Sequence, residues 1–328
     1  MPEIMLAVLW AGLTAYVLFA GADFGGGVWD LFAGGAVAGQ RQRALVEHSI
    51  GPIWEANHVW LIFVIVLMWT GFPSVFAAIA STLYIPLTIA ALGIIGRGAA
   101  FAFRKVSTQL WQQRLFGATF AFSSVATPFF LGAAAGAIAS GRVPPGIARG
   151  DLVGSWVNPT SLTAGALAVG TAAYLAAVYL ARDAERAGDA DLVDAFRRRA
   201  LGCGGVVGVL SAAGLLVLRA DAPGLFAALT SGRALPVLVL SVLAGLVSLV
   251  LLWRRAYLAV RLTAALAVTG LLWGWGVGQY PALLPGVSLT EAAATDTVLA
   301  ATLASLAVGG LLLLPSLWWL YATFQRDR

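Results

Sequence analysis

The sequence contains few charged residues. Only 11% of its 328 residues are Asp, Glu, Lys or Arg, whereas 60% are hydrophobic. An ordinary soluble domain is about 25% charged and about 45–50% apolar, and it needs those polar groups to cover its surface. The composition therefore excludes a soluble globular protein. A membrane span needs about 20 apolar residues, so we predict a single polytopic membrane domain over residues 1–328.

Cysteine and histidine are also scarce. The one cysteine, Cys203, excludes an internal disulfide and a zinc cluster. Glu55 and His58 form one half of the Glu-x-x-His motif of di-iron bundles, but no second copy exists. We therefore favour no metal site in this chain, and keep a haem held by His48 and His58 as an alternative. The basic residues are scattered among short connections, which argues against a nucleic-acid partner.

Long apolar runs are abundant. A window of about 19 residues finds nine of them. They cover residues 5–22, 54–71, 77–96, 115–139, 163–181, 201–218, 235–253, 262–278 and 298–321. We therefore predict an all-α integral membrane protein with nine transmembrane helices and no strand. No basic residue precedes the first run, so we interpret it as a span and not as a signal peptide.

The basic residues alternate between successive connections. All but four of the 20 lie in the first, third, fifth and seventh connections or at the C-terminus, the exceptions being Arg142, Arg149, Arg219 and Arg233. Because cytoplasmic connections are enriched in Lys and Arg, we predict an external N-terminus and a cytoplasmic C-terminus. The mixed charges of residues 182–199 predict a solvated cytoplasmic helix there.

Ionisable residues near the spans are the first candidates for function, because each is costly to insert into a membrane. The densest group, Trp54, Glu55, Asn57 and His58, begins the second span. Glu55 and His58 are one helical turn apart, so we expect them to share a face with Trp54 beside them. A carboxyl and an imidazole at this spacing can transfer protons. The alternative is that these polar residues cap the helix and face water.

Two further groups fall on the same predicted cytoplasmic side. Asp23 and Asp30 follow the first span in a glycine-rich stretch, which we expect to be a helix exit with acids in water. Arg97 and Arg104 follow the third span and could pair with Asp23 or Glu55, although such residues commonly reach lipid headgroups. All three groups would meet at one end if the first three spans pack together.

The order of these motifs resembles a known family. The strings GADFGGGVWDL (21–31), IGPIWEANHVWLI (50–62), GFPSVFAAIASTLYIPL (71–87) and RGAAFAFRK (97–105) are similar to those of subunit II of the cytochrome bd-type quinol oxidases. The resemblance covers about the first 105 residues, and WEANHVW is its most diagnostic part. The remainder agrees in apolar character and in the number of spans.

The resemblance implies a fold, a set of partners and a function. The nine helices would form two four-helix bundles and a peripheral helix, in the bacterial cytoplasmic (inner) membrane. A haem-bearing subunit I would hold haems b and d, oxidise quinol and reduce oxygen to water without proton pumping. This chain would bind no haem, would stabilise subunit I and would contribute a cytoplasmic proton route, with room for a structural quinone. The other expected partners are membrane lipid and a small accessory subunit.

The resemblance also implies site residues. Glu55 stands where the family carries an acid after the tryptophan of span two, so it is the first proton-route candidate, followed by Asp23 and His58. The supporting side chains would be Trp54, Asn57, Arg97 and Arg104. No catalytic residue is expected in this chain by itself. Ala20 and Ala102 stand where acids are common in the family, so the route here either runs differently or depends more heavily on Glu55 and Asp23.

Two other classes of function stay open. A secondary transporter would use interrupted spans such as the one around Pro86, but no ionisable residue recurs within the spans of the second half. A membrane scaffold or assembly protein would show the same packing surfaces as an oxidase subunit. A larger membrane partner rich in His and Met would favour the oxidase over both.

Overall fold

The computed structural model describes residues 1–35, 39–51 and 54–326. Pro52 and Ile53 of the second motif, and Arg328 of the basic C-terminus, lie outside the described residues. Within the described ranges, nine helices are long and apolar enough to cross a membrane. The prediction of an all-α membrane protein with nine spans is therefore confirmed.

The helices and strands follow one another in chain order. They are α1 (Pro2–Leu31), α2 (Gln40–Ile50), α3 (Trp54–Gly71), α4 (Pro73–Thr82), α5 (Tyr84–Val106), α6 (Leu110–Ala139), α7 (Pro159–Arg186), α8 (Ala190–Asp221), α9 (Pro223–Thr230), α10 (Leu235–Trp253), α11 (Tyr257–Gln279), β1 (Ala282–Leu284), β2 (Val287–Ser288), α12 (Leu289–Ala292) and α13 (Asp296–Arg326). The nine candidate spans are α1, α3, α5, α6, α7, α8, α10, α11 and α13.

The first span is longer than predicted. Because α1 continues to Leu31, Asp23 and Asp30 lie inside the helix, so the predicted helix exit with solvated acids is wrong. The glycines between them allow close helix contact instead of a turn. A Cβ atom on Gly25 would overlap the carbonyl oxygen of Ala172 in α7, and one on Gly27 would overlap Ser124 in α6.

The third span is displaced toward the C-terminus. The predicted run 77–96 crosses a break at Leu83, which separates α4 from α5. A continuous helix would require the backbone nitrogen of Pro86 to donate to the carbonyl of Thr82, and proline has no N–H group. The span therefore begins at Tyr84 and continues past Arg97, which lies inside the helix.

The fifth connection is shorter than predicted, because most of the segment 182–199 is helical but belongs to the ends of two span helices. The span helix α7 continues to Arg186 and α8 already begins at Ala190. Gly188 ends α7 with a positive φ of 70°, a backbone conformation that favours glycine. The side chain of Asp189 then caps α8 by accepting a hydrogen bond from the backbone nitrogen of Leu192 at 3.1 Å.

A small hairpin corrects the prediction of no strand. Strands β1 and β2 pair antiparallel across Pro285 and Gly286, and Gly286 has a positive φ of 71°. Such short strands carry no detectable alternation in sequence. The hairpin leads into α12, which begins with a reciprocal capping box between Ser288 and Glu291.

The helices pack in two neighbouring groups. Helix α1 contacts α3, α6 and α7, and α5 packs along α6. In the second half, α7 contacts α8 and α11, while α10 packs along α11. Helix α13 contacts α3 and α1. The arrangement as two four-helix bundles stays a prediction, as does the orientation in the membrane.

The basic connections meet at one end of the helices, which we call the charged end. It is the end at which α1, α5, α7 and α10 finish. Ion pairs at this end include Arg41–Asp189 at 2.7 Å, Arg104–Asp30 at 3.0 Å and Arg255–Asp194 at 3.2 Å. The alternation of charge along the sequence therefore corresponds to proximity in the fold.

Candidate functional site

Asp23 is the centre of a buried polar cluster, which consists of Asp23, Asn57, Arg97 and Ser124. The carboxylate oxygen Oδ2 of Asp23 accepts a hydrogen bond from Nδ2 of Asn57 at 2.6 Å. The backbone carbonyl of Asp23 accepts another from Nη2 of Arg97 at 2.9 Å. All four side chains are buried. Helices α1, α3, α5 and α6 thus each contribute one residue to a polar site inside an apolar protein.

Arg97 is the positive charge of this cluster. Its Nε donates to Oγ of Ser124 at 3.2 Å, and its guanidinium carbon lies 4.9 Å and 5.1 Å from the ring centroids of Phe24 and Phe120. Hydrogen bonds and aromatic faces offset the cost of burying the guanidinium. Arg97 is 1% exposed, so it does not reach lipid headgroups. It binds Asp23, one of the two partners considered from sequence, through the backbone carbonyl and not through the carboxylate.

His58 lies beside the cluster. Its ring centroid is 5.7 Å from that of Phe24, 6.0 Å from Trp54 and 6.3 Å from Tyr16. Both ring nitrogens of His58 are buried without a hydrogen-bond partner among the described residues, as are the Tyr16 hydroxyl and the Trp60 indole nitrogen. Buried polar atoms without a protein partner are the ones that internal water satisfies.

Glu55 lies outside the cluster, on the exposed side of α3. Among the described residues, no hydrogen bond or ion pair joins its side chain to another group, and the ring nitrogens of His58 are buried, so no proton transfer between the two is set up in this structure. Glu55 instead begins an exposed apolar row along α3. This row, which we call the α3 stripe, consists of Val59, Ile62, Val66 and Trp69, which are 40%, 61%, 47% and 64% exposed.

Trp54 packs between α3 and α5. Its ring centroid lies 5.8 Å from that of Phe101, and a Cβ atom on Gly98 would approach the indole to 3.2 Å. Glycine at position 98 therefore allows the indole to lie against the backbone of α5. Trp54 joins the helices that carry the cluster.

A second polar site lies at the charged end. Asp30 is 6% exposed and pairs with Arg104 at 3.0 Å and with Arg43 of α2 at 3.5 Å. These three residues and Glu47 form the polar walls of a cavity of about 230 Å³, which we call the charged-end cavity. Arg104, a predicted supporting residue, therefore belongs to a different site from Asp23.

The sequence pattern did not identify Ser124 as a member of the cluster and did not predict that Asp30 is buried. The signal for Ser124 is a pair of serines, Ser123 and Ser124, within an apolar run. The signal for Asp30 is its spacing of seven residues from Asp23, which places both on one face of a helix. Within the described part of the chain, no group of three or more His, Cys, Asp or Glu could hold a metal ion.

Comparisons with known proteins point to one family. A family model described as cytochrome bd terminal oxidase subunit II matches residues 1–324. Cytochrome bd ubiquinol oxidase subunit 2 of Bacillus subtilis (strain 168) is 35% identical over 129 residues, covering 39% of this chain and 36% of that protein. Cytochrome bd-I ubiquinol oxidase subunit 2 of Escherichia coli (strain K12) is 28% identical over 175 residues, covering 51% of this chain and 45% of that protein.

The matched segments thus span less than half the length of these curated relatives. Among solved structures, a chain from the structure of bd oxidase from Geobacillus thermodenitrificans superimposes with a TM-score of 0.79. The superposition covers 100% of this chain and 99% of that chain at 23% identity. At that identity the likeness establishes the fold.

Proposed function

We propose, from the premise that this chain belongs to the cytochrome bd terminal oxidase subunit II family, that it is the haem-free subunit of a quinol:oxygen oxidoreductase. It is a multi-pass protein of the bacterial inner membrane. A haem-bearing subunit I would oxidise quinol and reduce oxygen to water, and the complex would be electrogenic without pumping protons. This chain would stabilise subunit I and supply part of the route for the consumed protons.

The buried Asp23 carboxyl is the observation that carries the proton route. An acid inside a membrane helix is costly and is typical of a functional group. Asp23 has one carboxylate oxygen bonded to Asn57, while Arg97 binds its backbone carbonyl. The second carboxylate oxygen is not used by these contacts. The His58 ring lies 5.7 Å from that of Phe24, the residue after Asp23, and both of its nitrogens lack a hydrogen-bond partner among the described residues, so an imidazole is available close to the cluster.

Glu55 would contribute from the outer surface. The α3 stripe is apolar and exposed over its length, which suits burial against either lipid or another membrane subunit. We place subunit I on this stripe. The carboxyl of Glu55 would then be enclosed between the two subunits at the charged end, where it could accept a proton from solvent and pass it across the interface.

Neutral replacements of the two acids test the proton route. Asp23→Asn and Glu55→Gln keep the size of each side chain and remove its ability to accept a proton. In the co-expressed complex we expect quinol-driven oxygen consumption per haem to fall by about 100-fold, since positioned acid–base groups supply rate factors of this order. Glu3→Gln, at the opposite end of α1, is the matched control. Unchanged turnover in both acid variants with an intact haem spectrum contradicts the route.

Site-specific crosslinking tests the proposed contact with subunit I. A photoreactive amino acid at Ile62, in the α3 stripe, should crosslink to the haem-bearing partner. The same probe at Val209 of α8, which is 71% exposed, serves as the control and should label lipid. Crosslinking from Val209 alone would show that another face contacts the partner.

The haem-free assignment is tested by the two histidines. His48→Ala and His58→Ala complexes should retain every haem band of the parent complex, because subunit I would supply the haem ligands. Loss of one band in either variant would assign a haem to this chain. Solvent extraction of the same samples would detect a structural quinone.

A further inference from the structure

The charged-end cavity has the composition of a water-filled space. Two cations, Arg43 and Arg104, face two acids, Asp30 and Glu47, so the formal charges of its walls balance. Both arginines already pair with Asp30, which disfavours capture of a free anion. A volume of about 230 Å³ has room for several water molecules, and the polar walls supply hydrogen-bond partners for them.

The cavity leads from the surface to the interior. Gln113 of α6 is exposed at its outer side, and the side chains of Arg43 and Arg104 are 24% and 25% exposed. Its inner lining includes Asp30 at 6% and Phe120 at 3% exposed. The lining therefore passes from solvent to buried groups within one cavity.

Phe120 separates the cavity from the buried polar cluster. Phe120 lines the cavity, and its ring centroid lies 5.1 Å from the guanidinium carbon of Arg97. The Phe120 carbonyl accepts a hydrogen bond from Oγ of Ser124 at 2.7 Å. Ser124 in turn accepts from Arg97, which binds the carbonyl of Asp23. A single aromatic residue thus contacts both polar sites.

Helix α1 carries the acid of each site on the same face. Asp30 and Asp23 are seven residues apart, which corresponds to about two turns or about 10.5 Å along the axis. Gly27 lies between them, and its lack of a side chain lets α1 approach Ser124. The segment of α1 between the two acids therefore presents no bulky side chain toward Ser124.

We propose that the charged-end cavity is a hydrated vestibule through which protons reach Asp23, with Phe120 as the barrier between the two. The proton leaves a hydronium ion in the vestibule and binds a carboxylate oxygen of Asp23, and it is replaced from solvent. This inference rests on the proton route proposed above and adds its point of access. That access lies inside this subunit and is separate from Glu55.

Thiol accessibility tests hydration without relying on turnover. In a Cys203→Ser background, Val46→Cys places a thiol on the cavity wall, whereas Leu45→Cys places one in the same apolar core at a residue that does not line the cavity. The two parent side chains are similarly buried, at 3% and 8% exposed. In the assembled complex, a membrane-impermeant methanethiosulfonate reagent, applied to each side of sealed vesicles in turn, should modify Val46→Cys from one side and leave Leu45→Cys unmodified.

Equal modification of the two thiols, or none at Val46→Cys in a complex with an intact haem spectrum, contradicts a hydrated cavity.

A bulky side chain that blocks the cavity tests whether protons pass through it. Gln113→Trp places an indole at the outer side of the cavity, and Gln112→Trp places the same group on the neighbouring residue, which does not line it. We expect the first variant to lose most of its oxygen consumption and the second to retain it.

The two proposals fail in different ways. If Asp23→Asn abolishes turnover while Gln113→Trp preserves it, the proton route stands and access through the vestibule is refuted. If Asp23→Asn and Glu55→Gln preserve turnover, the route itself is refuted. Loss of turnover in Gln113→Trp but not in Gln112→Trp, together with selective modification of Val46→Cys, supports the vestibule.

Discussion

Helices α1–α6 bury charge, whereas the described helices from α7 onward bury only neutral polar side chains. Asp23, Asp30 and Arg97 lie at 4%, 6% and 1% exposure in α1 and α5. The buried polar residues of the second-half helices are Thr160, Ser161, Thr171 and Ser248. Both halves face the same apolar surroundings, so the surroundings do not explain why only the first half buries charged side chains.

Three hydroxyl groups of the second half bond to their own backbone or to one another, whereas that of Thr160 donates to Asp221. The Thr171 hydroxyl donates to the carbonyl of Leu167 at 2.8 Å, and the hydroxyls of Tyr174 and Ser248 lie 2.5 Å apart between α7 and α10. The charges in the first half depend on partners from other helices. A displacement of one of these helices would leave a buried charge without its partner. The polar groups of the first half therefore require close packing of the helices that carry them.

The strongest test of this contrast removes the buried cation. Arg97→Met removes the positive charge near Asp23 and the hydrogen bonds to Ser124 and to the Asp23 carbonyl, and a hydrogen bond from a charged group contributes about 1.5–3 kcal/mol. We expect a large fall in the thermal midpoint of the complex, followed by loss of haem absorbance. The double variant Asp23→Asn with Arg97→Met removes both charges and should recover part of the loss. A single variant as stable as the parent would show that Arg97 is not needed to compensate Asp23.

The second test concerns the contact between the halves. Gly25→Ala forces a methyl group against the carbonyl of Ala172, and overpacking of this kind costs about 1–3 kcal/mol. Gly21 lies one turn earlier on the same helix with no atom within 4 Å of an added Cβ. Gly21→Ala should therefore be neutral or stabilising, because alanine is the better helix former. Equal midpoints for the two variants would contradict close packing of α1 on α7.

Sequence reasoning found the elements that depend on composition. Lipid-exposed spans must be apolar wherever they lie, so hydropathy identifies nine of them, and the connections rich in arginine meet at one end. The third span was misplaced because hydropathy does not take into account that Pro86 has no N–H group to donate. The glycines near Asp23 were assigned to a helix exit, because glycine serves turns and close helix contacts alike.

The candidate site was predicted in part. Asp23, Asn57 and Arg97 were named from sequence, and they meet in the fold. The spacing of Glu55 and His58 could not predict that Glu55 is exposed, because the side of α3 that is buried depends on the helices packed against it. Ser124 and Phe120 were missed for a similar reason. Their importance comes from contacts with Arg97 across helices; the pair of serines in α6 indicates a polar position but not its partner on α5.

The third test measures a neutral contact in the second half. Ser248→Ala removes one partner of the Tyr174 hydroxyl, and a hydrogen bond of this kind contributes about 0.5–1.5 kcal/mol. We expect a small fall in the thermal midpoint and full oxygen consumption. Ser316 of α13 is exposed and bonds its own backbone, so Ser316→Ala is the control without an expected effect. A loss as large as that of Arg97→Met would remove the distinction between the halves.

The smallest effect should come from the charges that join the halves in solvent. Asp189 lies in the turn between α7 and α8, and hydrogen bonding to Arg41 of α2 lowers the pKa of its carboxyl below the usual range. A lowered folded-state pKa stabilises the protein above the unfolded value of about 3.9, and this contribution is lost as the pH falls through the folded pKa. Asp189→Asn can keep the cap on Leu192 while removing the charge. The difference in midpoint between parent and variant should be present at neutral pH and shrink toward acid, whereas a difference independent of pH would assign the effect to the cap.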